Sequence, residues 1–270
     1  MSGERFSPGA QTDALVVTHL SDRRRSVLAW GLPLGLMSAF IVAIFPSVEE
    51  SIAKAVQGYP QGLKEAFGIG ELTNVEQYLH AEMLSLIVPL ALGYLAVRAV
   101  ASGLTGAAES GRLDVLLSAP VSRSRLVAAS FLATAVELAA VLLLTGALTG
   151  LGSILAGSGL AAGPAVAGFA NVWPLALLFA GLGAIAAGFS LRTSVVTGSV
   201  AGVLVGMYVL DLVGRLDPGL DAVRYLSVFR YYGNAIEDGI EPLAFAGVTL
   251  AACLLAAIGA WLFERRDLAA

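Results

Sequence analysis

ESGRLDVLLSAPVSRSR, residues Glu109–Arg125, is a charged, amphipathic island between two long apolar stretches. Glu109, Arg112, Asp114, Arg123 and Arg125 carry its charges. Leu113, Leu116 and Leu117 recur at i, i+3 and i+4, which puts them on one helical face. Pro120 ends that helix, and Ser122 is placed to cap the next one. On both sides the chain runs in Leu, Ala, Val and Gly for the length of a membrane crossing. A short helix stranded between two crossings needs something to cover its apolar face. Two readings stand: a soluble partner protein covers it, or it rests on lipid headgroups.

Composition supports the membrane setting. Hydrophobic residues make up 57% of the chain and charged residues 13%, where a soluble domain carries about a quarter charged residues. Mean hydropathy is +0.81. The apolar runs are long and unbroken rather than short and alternating, so the fold class is all-α, a polytopic helical membrane protein and not a barrel. The polar start MSGERFSPGAQTD has no apolar core of a secretion signal, so the first apolar run is expected to stay as an anchor. The lone cysteine, Cys253, sits in an apolar run and is expected in the packed core.

A crossing needs about 20 apolar residues. Six segments qualify, near Ser26–Phe45, Ala81–Ala101, Leu126–Leu151, Val172–Leu191, Ser194–Val213 and Leu243–Phe263. Pro33 and Pro89 mark expected kinks. Residues 1–270 form one transmembrane unit. Within it, 1–25 is a polar N-terminal segment with an interfacial helix over Ala14–Leu20 ahead of the SDRRR cluster. The 104–125 loop contains the island, and 214–241 is a semi-polar, aromatic segment of interfacial or re-entrant helices. The Ala156–Gly168 connection reads as a loop. With the N-terminus inside, eleven Arg fall on the cytoplasmic side: residues 5, 23, 24, 25, 98, 112, 123, 125, 192, 265 and 266. Lys54, Lys64, Arg215, Arg224 and Arg230 fall outside. This bias predicts a multi-pass plasma-membrane protein with both termini cytoplasmic.

Absences narrow the function. Neither lysine ends a G-x-x-x-x-G-K-[ST] loop, so the chain supplies no ATP-binding loop of its own. Its histidines, His19 and His80, fall outside the expected spans, and no H-E-x-x-H or cysteine pair is present. The chain is therefore expected to be neither an enzyme nor a metal protein, with no catalytic residue and no nucleic-acid partner. Glu137 stands out in the third span, roughly 18 Å along the helix from Arg125, near the midplane if the helix is upright. A carboxylate there is paired, protonated or facing a wet cavity. It either lines a transport path, binding a proton or cation, or makes a structural pair, for which Arg98 is the nearest candidate. Gly198, Gly202 and Gly206 form a small-residue stripe that serves either an interface with another chain or packing within this one. His80 and Glu82 are expected to be solvated at the outer interface.

The island also carries a family likeness. Glu109, Gly111, Leu113, Leu116, Leu117, Pro120, Val121 and Arg123, followed by Leu126, resemble the E-x-G-x-L-x-x-L-L-x-x-P-V-x-R segment of ABC-2 type transporter permeases. The six spans and the LSVFRYYG stretch from Leu226 to Gly233 resemble them too. The chain departs from many members at Ala108-Glu109, where they carry paired acids, and at Ala128–Ser130, where they carry a lysine. The likeness implies the ABCG-like (type V) exporter fold. In that fold an interfacial helix precedes six spans, and outer helices precede the sixth. The island acts as a cytoplasmic coupling helix docked on a separate ATP-binding cassette subunit, which holds ATP and magnesium. A second permease copy or a homologue completes the pathway through the lipid bilayer. Under this likeness Glu109, Gly111, Leu113, Leu116, Leu117, Pro120 and Arg123 are the expected coupling residues. The alternative is an ion- or proton-coupled secondary carrier built on Glu137.

Overall fold

The computed structural model of the protein describes residues 8–60, 74–109 and 122–265. All regular structure among them is helical. Helix α1 runs over Pro8–Gln57. A short α2, Val75–Leu79, passes through a π-helical turn at His80–Leu84 into α3, Ile87–Glu109. Then come α4 (Arg123–Ala156), α5 (Ala162–Phe189) and α6 (Thr193–Leu216). A 3-10 helix, Pro218–Leu226, and two single-turn helices, α7 (Phe229–Tyr232) and α8 (Ala235–Asp238), lead to α9, Pro242–Glu264. Six segments are long and apolar enough to cross a membrane: Arg23–Ser51, Val75–Gly106, Arg123–Ala156, Ala162–Phe189, Thr193–Leu216 and Pro242–Glu264.

The elements differ from the sequence expectation at their ends. The helix expected ahead of the first span is not separate: α1 continues without a break from Pro8 into the span and through Pro33 and Pro46. Between Gly9 and Gly31 the sequence has neither Gly nor Pro, so nothing there stops a helix once begun. The Ala156–Gly168 connection shortens to a tight turn. Gly157, at φ 65°, closes α4 in the left-handed conformation. Ala162 opens α5, with Pro164 in the first turn, where its missing N–H is not needed. Before Pro89 the chain takes the π-helical turn, and Ser85 N–H bonds back to the His80 carbonyl.

Close approaches set the directions of the spans. A Cβ on Gly31 would strike Leu144, one on Gly35 would strike Leu148, and one on Gly152 would lie 2.8 Å from the Ala39 backbone. Residue n of α1 therefore lies beside residue n+113 of α4, and the two helices are parallel. In the same way α5 runs parallel to α9, where Gly259 meets Ala184 and Gly188 meets Leu262. Helix α3 runs antiparallel to α6, pairing Gly93 with Leu204 and Thr105 with Thr193. Odd and even spans thus alternate in direction. Helix α5 is central, packed on α3, α4, α6 and α9, with Leu175, Leu177 and Phe179 fully buried. Cys253, expected in the core, is exposed. Helix α9 buries the face bearing Ala252, Ala256, Gly259 and Phe263, and Cys253 is one residue off it.

Candidate functional site

The functional side chains gather where the spans end. The first group joins α1, α3 and α4. Arg23 donates from Nη1 to Glu137 Oε2 at 2.9 Å and to Thr134 Oγ1 at 2.6 Å, and from Nη2 to the Ala99 carbonyl at 2.8 Å. The Glu137 side chain is 2% exposed and that of Arg23 11%. The partner of Glu137 is therefore Arg23, not Arg98, which lies exposed on α3. The parallel register of α1 and α4 makes this pairing: 23 plus the offset of 113 falls at 136, next to Glu137.

The same register sets the level of Glu137 in the bundle. It stands level with Arg23, and Arg24 and Arg25 beside it are exposed on the outer face of α1. Such side chains keep their charge in the headgroup layer by reaching along the helix. Glu137 thus stands at the level of the Arg23–Arg25 cluster of α1. The stretch 137–156 that remains matches the about 20 residues a crossing needs. Helices α3 and α4 continue past that level by about 15 and 20 Å respectively before the 110–121 connection.

The second group lies at the foot of that connection. Glu109, the last residue of α3, accepts from the Thr193 backbone N–H at 2.9 Å and from the Thr193 hydroxyl at 2.8 Å. Thr105 Oγ1 lies 2.8 Å from Thr193 Oγ1. Thr193 opens α6, so a side chain of one span caps the start of another. The Thr193 hydroxyl first, then its N–H, with Arg192 adding, hold the Glu109 carboxyl below its usual range. Arg123 opens α4 on the other side of the connection. Gly111, Leu113, Leu116, Leu117 and Pro120 lie outside the described residues.

A third group ties the opposite end of α6 to the segment before α9. Asp211, whose side chain is 4% exposed, accepts from Arg215 Nη2 at 2.6 Å and from Arg224 Nε at 3.0 Å. Arg224 and Arg230 both reach Asp221, at 2.9 and 3.1 Å. Arg230 also stacks over the Tyr225 ring. Ser227 Oγ donates to the Met207 carbonyl at 2.6 Å, and Asn171 Nδ2 donates to the Tyr232 carbonyl at 2.5 Å. Nearby His80, expected to be solvated, is 6% exposed. The aromatic segment is pinned by its arginines rather than lying free.

Between these ends α6 is open. A Cβ on Gly198, Gly202 or Gly206 would meet nothing within 4 Å among the described residues. The stripe therefore does not serve packing within the described chain. The small residues that do bring helices together, Gly152 on Ala39 and Gly259 on Ala184, are others. On the opposite side of the bundle, α4, α5 and α9 frame an apolar groove of about 510 Å³ floored by Leu142 and Phe169. Trp173 and Phe245 stack at its rim, 6.4 Å apart, and the Trp173 N–H is spent on the Ala135 carbonyl.

Sequence reasoning missed Arg23 and Asp211. Asp211 carries a local signal, a lone acid in an apolar run with Arg215 at i+4. Arg23 carries none, because it stands in an arginine cluster that reads as headgroup-facing. Set against known proteins, residues 19–264 match the family described as multidrug efflux system permease Rv1217c, C-terminal domain. No curated protein matches the chain.

Proposed function

The chain belongs to the Rv1217c C-terminal-domain family of multidrug efflux permeases, and from that premise we propose that it is the membrane-spanning subunit of an ATP-driven exporter. A separate ATP-binding cassette subunit, carrying ATP and magnesium, docks on the 110–121 connection and pushes it. Leu113, Leu116 and Leu117 form the docking face, with Gly111 and Pro120 shaping the turn and Arg123 at its exit. A second copy of the chain, or a homologue, packs on the open Gly198–Gly206 stripe and completes the pathway. The observation that carries this reading is the fastening of both helices that flank the connection. Helix α4 is tied through Glu137 to α1, and α3 through Glu109 to α6. A push between α3 and α4 is thereby delivered to four spans.

The end holding the connection faces the cytoplasm. Among the described residues that end carries Arg23, Arg24, Arg25, Arg98, Arg123, Arg125, Arg192 and Arg265. The other end carries Lys54, Arg215, Arg224 and Arg230, half as many. That asymmetry is the one the positive-inside rule demands of a plasma-membrane protein with both termini inside.

Purification of the tagged chain from native membranes is the test. An ATP-binding cassette chain is expected to co-purify, and Leu116→Asp is expected to release it while leaving the permease folded. Recovery without such a partner, together with transport that follows an ion gradient, would favour the carrier reading on Glu137. Against that reading stands a carboxylate already taken up by Arg23.

A further inference from the structure

Helix α6 keeps one face open along its length. Val195, Val203, Val205, Val209 and Val213 are exposed along it, and its glycine stripe is open. Its attachments lie mainly near its ends. At the far end Asp211 grips Arg224 and the Met207 carbonyl receives Ser227. At the near end Glu109 and Thr105 hold Thr193. Midway, Leu204 seats against Gly93 and Phe179. Thr193 is the first residue of α6, so its N–H has no carbonyl within the helix to bond. The Arg192 carbonyl already receives the Val195 and Val196 N–H groups. The Glu109 carboxylate supplies the missing acceptor, and a negative charge is favoured at a helix start.

We propose that Glu109 is a positioning residue: its carboxylate fastens the leading end of the 110–121 connection to the start of α6, so that displacement of the connection moves α6 with it. The sequence reading gave Glu109 to the partner surface. Both of its carboxylate oxygens also accept from Thr193, 84 residues away along the chain. Three facts make the joint a strut. It joins two helices that run antiparallel, it sits one residue before the connection, and it acts on a span with an open face. Helix α6 then pivots about its far-end arginine anchors while its near end follows the connection. The proposal rests on the reading above for the source of the push, but not for the joint itself.

The test has two arms. In the first, amide exchange over residues 192–197 is measured on the intact chain in lipid nanodiscs. Glu109→Ala is expected to speed exchange there roughly two- to thirtyfold, the range for loss of a helix cap. Glu109→Gln keeps one acceptor and is expected to fall between. Unchanged exchange in Glu109→Ala overturns the strut whatever drives transport. In the second arm, Glu109→Cys and Thr193→Cys are combined in a Cys253→Ser background with the ATP-binding partner present. Partner binding and ATP hydrolysis are expected to stay at the wild-type level. Transport per ATP is expected to fall roughly 5- to 150-fold, the span of ordinary coupling between sites. A short thiol cross-linker that rejoins the two positions is expected to restore it. Loss of the partner from the uncross-linked variant, or failure of the cross-link to restore transport, overturns the proposal. A wild-type chain that shows no ATP-driven transport removes the exporter reading alone, since the exchange arm still decides the joint.

Discussion

Replacing Arg23 by Met, Glu137 by Leu, and both together tests the central joint of the bundle. Arg23 makes three hydrogen bonds, to Glu137, Thr134 and the Ala99 carbonyl. Losing one partner of a buried pair costs about 3–5 kcal/mol, because the other charge is left without a partner. The two single variants should not be equal. Glu137 is 2% exposed and loses its charged partner when Arg23 is gone, so Arg23→Met belongs at the upper end of that range. Arg23 stands level with the exposed Arg24 and Arg25. In Glu137→Leu it can extend toward the headgroups as they do, which brings that variant down to about 2.5–3.5 kcal/mol, the insertion cost of a lone charge. The double variant removes both charges and substitutes apolar volume, and such replacements of buried pairs are often neutral. It should lose less than Arg23→Met alone. The assay is reversible unfolding in mixed micelles, followed by helicity as denaturing detergent is titrated. A double variant as damaged as the sum of the two singles would show that the residues act independently and would refute the joint.

Four further outcomes follow from the same geometry. Asp211→Asn should weaken the hold on Arg215 and Arg224 by about 1.5–3 kcal/mol, read as faster proteolysis of the Pro218–Gly239 region in the otherwise folded protein. Gly152→Ala drives a Cβ to 2.8 Å from the Ala39 backbone and should cost about 1–3 kcal/mol by overpacking. Gly202→Leu should leave monomer stability unchanged, because its site is open, and should abolish self-association measured by cross-linking in membranes. Hydrogen bonding from Arg224, with Arg230 adding, holds the Asp221 carboxyl below its usual range. The folded state then binds fewer protons than the unfolded one, so the contribution is full above the ordinary carboxyl range near pH 4. It is lost as pH falls through the lowered value. Protease sensitivity of the same region should therefore rise only below the ordinary carboxyl range near pH 4 and stay flat between about pH 5 and pH 8. A rise within the neutral range would contradict the Asp221 assignment.

The six crossings and the all-helical class were legible in the sequence, because a bilayer leaves a chain with few other solutions. Backbone groups must be satisfied within each segment, and the apolar length needed is set by lipid thickness. The end of α4 at Gly157 was written locally for the same kind of reason, a missing Cβ. The continuation of α1 back to Pro8 was written too, in the absence of any breaker, but a charge cluster looked like a boundary. What tertiary structure alone decided was which polar groups meet. Arg23 and Glu137 are 114 residues apart and Glu109 and Thr193 are 84 apart, and no spacing rule reaches across helices. Those meetings follow from the register between packed spans, which small residues set through close approach. Glycines that pack and glycines that lie open look the same in a sequence. Only the arrangement of the helices separates Gly152, pressed on Ala39, from Gly202, which faces nothing among the described residues.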